Sequence, residues 1–169
     1  MPENARGSRF LRFAAEFPIL FLDQYGVLHD GATPYAGAID ALRALKRAGA
    51  RIVILSNSGR SGDHNARRME RFGFGRNLYD HFVTSGDVAK SLLLGGDLPV
   101  VVRATTRCLT LSTSGAHDLA DELGITSVDD AASADLLLIS GSQADHISME
   151  DYAALMAPAA ARGVLCLCT

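Results

Sequence analysis

The chain has 169 residues, 48% of them hydrophobic and 21% charged, with 16 basic against 19 acidic side chains and a net charge of −3. A chain of this size buries roughly 70% of its unfolded surface and needs no disulfide or metal staple to fold. There is no basic block to favour nucleic acid or an anionic membrane, no apolar run near the roughly 18 residues of a spanning helix, and no signal-peptide core at the start, so a cytoplasmic protein is expected.

In chain order, "ARGSRFLRFAAEF" reads as a short leading helix and "PILFLD" as a strand. "YAGAIDALRALKRAGA" places Ile39, Leu42 and Leu45 at helical spacing, with Gly49 as a stop. "RIVILSN" is a second strand, apolar enough to be buried on both faces. "RSGDHNARRMERFGFG" is a helix with Ser61 or Asp63 near its N-cap, "HFVTS" a third strand, and "GDVAKSLLLGG" a helix closed by glycines.

A second series follows: strand "RCLTLST", helix "GAHDLADELG", strand "ADLLLISG", helix "SMEDYAALMAPAAARG" with a disturbance expected at Pro158, and strand "VLCLCT". Strands alternating with helices at this spacing indicate βαβ units, hence an α/β fold with parallel sheet. The two series divide near residues 95–99, giving domains 1–97 and 98–169. Cys166 and Cys168 share one face of the last strand and are expected in the core with Cys108, as small apolar residues.

Two strand ends carry the chemistry. The first strand stops at Asp23, followed by Tyr25, Gly26 and Gly31. Ligands of open parallel sheets bind outside the carboxyl ends of the strands. A carboxylate there suits attack on phosphorus, or ligation of Mg²⁺; it also suits a plain turn. The second strand stops at Ser56, Asn57 and Ser58, then Gly59. A hydroxyl and backbone N–H groups ahead of a helix form an anion site, and the same residues suit a cap. If the strands are neighbours, one donor set holds a phosphate against Asp23.

The five histidines lack metal-ligand spacing, and His29 and Asp30 read as surface loop residues near the first strand end. Gly141 to Asp145 reads as an ordinary turn, "LSTSGAHD" as a helix cap, and Lys46 and Lys90 as solvated helix positions. Dinucleotide and P-loop motifs are absent.

"FLDQYGVLHDG" and "LSNSG" resemble the first two motifs of the haloacid dehalogenase superfamily, in its class IIA branch of NagD-type sugar and nucleotide phosphatases. "PYAGAIDAL" and "VTSGDVAKSLL" match the intervening helices, and residues 134–169 resemble the first half of that branch's α/β cap. The resemblance implies a Rossmann-like core with a partial cap. It also implies Mg²⁺-dependent hydrolysis of a small phosphomonoester, a phosphorylated metabolite, through an aspartyl-phosphate. Asp23 would be nucleophile and metal ligand, the backbone carbonyl of Tyr25 a second ligand, and Ser56 the grip on the phosphoryl group, with Asn57 and Ser58 beside it.

Tyr25 departs from the family, which has an acidic residue there to protonate the leaving oxygen and activate water. A tyrosine's ordinary pKa near 10 makes it a poor base at neutral pH, and losing a positioned acid/base costs about 10²–10⁴ in rate. The family's later Lys and acidic metal-binding stretch have no counterpart before Thr169. The expectation is therefore a weak or inactive phosphatase, in a fragment of a longer protein or one completed by a partner chain. The alternative is a non-catalytic ligand-binding or interaction protein on the same scaffold. The first strand is expected near an unpaired sheet edge, which leaves self-association open.

Overall fold

The computed structural model describes residues 3–96 and 98–169. They form two compact units: one holds the chain up to Ser56 plus Gly62–Val83, the other Asn57–Ser61 plus Thr84–Thr169.

In the first unit, α1 (Glu3–Ala14) leads into β1 (Ile19–Asp23), followed by α2 (Ala38–Arg47), β2 (Arg51–Ser56), α3 (Gly62–Arg71) and a 3-10 turn at Arg76–Leu78. β3 (His81–Thr84) completes a sheet of order β1-β2-β3, with β1 and β2 parallel. Leu42 and Leu45 of α2, Ala66 and Met69 of α3, and Ile52 and Ile54 of β2 make one core. All are buried apolar groups, and each large one contributes roughly 1.5–3 kcal/mol of hydrophobic stabilisation.

That core covers only one face of the sheet. Ile52 and Ile54 are fully buried, but Leu55 is 41% exposed and Phe21 of β1 63% exposed. The expectation that β2 is buried on both faces is corrected accordingly: α2 and α3 both pack on the same side, and alternation sends Leu55 to the other. β1 is an edge strand of this sheet, as its sequence context suggested.

The second unit contains α4 (Ser85–Gly95), β4 (Arg107–Leu111), α5 (Asp118–Leu123), β5 (Thr126–Ser127), β6 (Leu136–Ile139), α6 (Met149–Ala161) and β7 (Leu165–Cys168). Its sheet is parallel throughout, in the order β5-β4-β6-β7. β5 has two residues, too few for a periodicity to reveal. Ala89 and Leu93 of α4 and Leu119 and Ala120 of α5 pack with Cys108, Leu136 and Leu138 on one face; Ala159 and Met156 of α6 pack with Leu109 and Leu137 on the other.

Thr84 caps α4 in a reciprocal box: its Oγ1 accepts from Asp87 N at 3.1 Å, and Asp87 Oδ2 accepts from Thr84 N at 3.2 Å. α6 runs through Pro158 without ending, although the proline lacks the backbone donor its position would use. Cys108 is buried, but Cys166 and Cys168 are exposed, against expectation. They do share a face; Leu165 and Leu167 take the inward positions against the core, so alternation turns both thiols outward.

Candidate functional site

The parallel register sets Asp23 opposite Leu55, so Ser56 stands one residue further along at the same carboxyl edge of the sheet. The chain then folds back tightly. Gly26 adopts a φ of 80°, its N–H donates to the His29 carbonyl at 2.8 Å, and Leu28 N–H donates to the Gln24 carbonyl at 2.8 Å. Only glycine takes that φ without strain. Asp23 Oδ1 accepts from Gln24 N–H at 2.7 Å, which orients the carboxylate at the strand end.

Gln24 connects the two strand ends. Its Nε2 donates to Ser56 Oγ at 2.7 Å and to Asn65 Oδ1, on α3, at 3.2 Å. Gln24 and Asn65 are both buried, and Gln24 Oε1 has no hydrogen-bond partner among the described residues. Sequence reasoning missed both amides. The available signal was parity: Gln24 continues the inward series of Leu20 and Leu22, whereas Asp23 continues the outward series of Ile19 and Phe21.

Tyr25 is 66% exposed. Its ring lies over Gly31, where a Cβ would sit 2.9 Å from the tyrosine Cε2, and stands edge-on to His29 at 6.0 Å between centroids. His29 is not the surface residue expected from sequence. It is 1% exposed, its ring is 5.0 Å from that of Phe72, and its Nδ1 accepts from Gly31 N–H at 2.9 Å. That bond leaves Nε2 as the protonated nitrogen of the neutral ring, and Nε2 is buried with no partner among the described residues. Burial, then the nearby Arg68, lower the pKa of His29, with Asp30 and Asp23 opposing. Arg68 Nη2 donates to the Gly31 carbonyl at 2.7 Å while its guanidinium lies over Phe72. Asp30 is a turn-former: its Oδ1 accepts from Ala32 and Thr33 N–H, and these bonds hold its carboxyl below the usual range.

The donors available to a cation are few. Among the described residues no group of three His, Cys, Asp or Glu side chains could hold a metal ion. Asp23 offers a carboxylate, and no backbone N–H of the described residues takes up the Tyr25 carbonyl. One carboxylate and one carbonyl fit Mg²⁺, which keeps several waters and takes further oxygens from a bound phosphate.

Asn57 and Ser58 belong to the second unit, where they line a cavity of about 500 Å³ together with Arg60 and the hydroxyl-rich ends of β4, β6 and β7. Gly141 lines it too, while Gln143 is used structurally: its N–H donates to Tyr152 Oη at 2.7 Å and its Nε2 to the Ser112 carbonyl at 3.2 Å. The segment before α5 does not cap that helix through a side chain; Ser112 Oγ donates instead to the Ala116 carbonyl at 2.9 Å. Lys46 pairs with Asp80 at 2.7 Å and Lys90 with Glu122 at 3.1 Å, so both lysines serve structural ion pairs.

A family model described as haloacid dehalogenase-like hydrolase matches residues 20–126, more than half of the chain. No curated protein matches the chain by sequence. Among solved structures, a haloacid dehalogenase-like hydrolase of Brucella suis is 26% identical with a TM-score of 0.75, over 94% of this chain and 58% of that one. A glycerol phosphate phosphatase of Mycobacterium tuberculosis, in complex with magnesium, is 25% identical with a TM-score of 0.60, over 89% of this chain and 43% of that one. A 4-nitrophenylphosphatase of Thermotoga maritima shares the fold at 17% identity and a TM-score of 0.60, over 92% of this chain and 55% of that one. The chain thus spans about half the length of the solved structures it matches.

Proposed function

The chain belongs to the haloacid dehalogenase-like hydrolases, and from that premise we propose that it carries the phosphoryl-transfer half of a class IIA phosphatase for a small phosphomonoester, working at low rate. Residues 1–97 are read as the catalytic core and 98–169 as the start of a cap, in a cytoplasmic protein. The observation that supports this reading is that two adjacent parallel strands end together at one carboxyl edge, β1 at Asp23 and β2 at Ser56; alternation turns the two side chains to opposite faces, so a phosphate would be met over the strand ends.

A carboxylate oxygen of Asp23 attacks phosphorus, the bond to the substrate's ester oxygen breaks, and the departing oxygen takes a proton. Tyr25, exposed and anchored over Gly31, is the donor closest in sequence. Water then releases phosphate from the aspartyl-phosphate. Ser56 Oγ, which accepts from Gln24, is the hydroxyl assigned to the phosphoryl oxygens. Asn57 and Ser58 follow it as further donors. Mg²⁺, held by Asp23 and the Tyr25 carbonyl, would neutralise charge on the phosphoryl oxygens.

A second reading, ligand binding without turnover, is favoured by one observation: the position after Gln24 holds an aromatic ring packed on Gly31 and His29, not a base. The two separate on one experiment. The 169-residue chain is incubated with acetyl phosphate and Mg²⁺ and its mass is followed. A labile +80 Da adduct absent from Asp23→Asn supports phosphoryl transfer; an unmodified wild-type chain that still binds the donor supports binding alone.

A further inference from the structure

β7 carries two thiols that the chemistry at Asp23 does not use. Cys166 and Cys168 are both exposed, on an outermost strand of the second unit's sheet. Free cysteine is among the most buried residue types, so a pair of exposed ones on one short strand is unusual. The register explains their orientation. Cys166 stands beside Leu137 and Cys168 beside Ile139, so the thiols continue the sheet face on which α6 covers Leu109 and Leu137. That cover does not extend to the two thiols, which meet solvent side by side.

Their spacing decides what they can do. Residues two apart on a strand have Cα atoms about 6.6 Å apart, at about 3.3 Å of rise per residue. Their Cβ atoms point the same way and keep that spacing, whereas a disulfide needs Cβ atoms about 3.8 Å apart. An internal disulfide would therefore pull β7 out of its ladder with β6. A bridging cation asks less. Two collinear metal–sulfur bonds of about 2.3 Å place the sulfurs about 4.6 Å apart. Each side chain meets that by leaning about 1 Å along the strand, the direction in which strand side chains lean.

The donor set fixes the class of ion. Thiolates are soft ligands that suit Cu(I) and not the oxygen-seeking cations. Among the described residues no third His, Cys, Asp or Glu joins the pair, and Cys108 is buried on the opposite face. A four-coordinate Zn²⁺ would thus find half of its ligands. Burial, then the neighbouring Cys168, raise the pKa of Cys166, and a cation between the sulfurs relieves the second of these. We propose that Cys166 and Cys168 form a two-thiolate site for a soft monovalent cation of the Cu(I) class, independent of the reaction at Asp23. On binding, each thiol gives its proton to solvent and two metal–sulfur bonds form, with no change of oxidation state.

The test is an anaerobic titration of the reduced 169-residue chain against Cu(I) held in its coloured bicinchoninate complex. Wild type is expected to withdraw one Cu(I) per chain, with no change of elution volume in size-exclusion chromatography. Cys166→Ser and Cys168→Ser should each lose that competition. Zn²⁺ offered to wild type on a chromophoric indicator should stay with the indicator. The proposal is overturned if wild type leaves the bicinchoninate colour unchanged, if either serine variant withdraws Cu(I) like wild type, if Zn²⁺ is taken up as well as Cu(I), or if binding shifts the chain to earlier elution, which would mean a bridge between chains. Both positions are exposed, so the serine variants are expected to keep the fold, as circular dichroism will read. Should one of them lose it, the wild-type stoichiometry and the other variant decide. Since no turnover is read, failure here leaves the Asp23 chemistry standing, and the reverse also holds.

Discussion

Gln24 Nε2 donates to Ser56 Oγ at 2.7 Å, so the ends of β1 and β2 are tied by a buried amide and not by the carboxylate beside it. The same nitrogen reaches Asn65 on α3, which makes Gln24 the link between both strand ends and the helix that follows them. Replacing Gln24 by Ala strips a donor from two acceptors, one of them on a buried residue. Gln24→Ala is expected to destabilise the fold by about 1–3 kcal/mol in urea unfolding. In a double-mutant cycle with Ser56→Ala the two losses should fall short of additivity; additive losses would remove Gln24 from this role.

In the proposed reaction Tyr25 stands in the place of an acid/base, and its ring is held over Gly31. Tyr25→Asp is expected to raise 4-nitrophenyl phosphate turnover by about 10²-fold or more, within the usual worth of a positioned acid/base. Wild-type turnover that is already high and unchanged in the variant would refute this account of the residue.

His29 is a packing residue. It lies against Phe72 and accepts from Gly31 N–H, so it fixes the loop that returns from β1. His29→Ala leaves a cavity beside Phe72 and should cost about 2–4 kcal/mol, the range for large-to-small core changes. A loss under about 0.5 kcal/mol in thermal or urea unfolding would show that the loop holds itself.

Gly86 and Gly59 make the tightest backbone approach in the second unit: a Cβ on Gly86 would sit 2.3 Å from the Gly59 carbonyl oxygen. The obstacle is main chain, which cannot rotate away. Gly86→Ala is expected to cost about 1–3 kcal/mol despite the better helix propensity of alanine. A Tm equal to or above wild type would mean that α4 can shift freely.

Asp135 is held down to about 2 chiefly by Arg107, whose guanidinium donates at 2.8 and 3.0 Å and whose backbone N–H adds a third bond. Because the folded state lowers this pKa, the pair contributes above the ordinary carboxylate range near pH 4, and its contribution is lost as pH falls toward 2. The pair is solvent-exposed, so the effect is small and weakened by salt. Carboxyl titration by NMR should show the Asp135 midpoint moving up toward the ordinary value in Arg107→Ala.

The amino-acid sequence by itself determined the parallel α/β class and the order of the elements, except β5 and the 3-10 turn. Runs such as "RIVILS" and "DLLLI" stop at polar residues, and helices such as that of Ile39, Leu42 and Leu45 repeat their apolar positions at helical spacing. It also located Asp23 and Ser56 at strand ends, because a charged or hydroxyl residue after an apolar run marks where the chain leaves the core. Tertiary structure alone decided which face each strand buries. Cys166 and Cys168 are small apolar residues that alternate with leucines, and only the docking of Leu165 and Leu167 turned them out. It alone decided that His29 and Gln24 are interior, since a polar side chain becomes a core residue only where a distant partner, such as Asn65 or Phe72, is brought to meet it. The hydroxyl-lined cavity was illegible for the same reason: Ser112, Ser140 and Thr169 are far apart in the chain, and only the strand order places them at one edge.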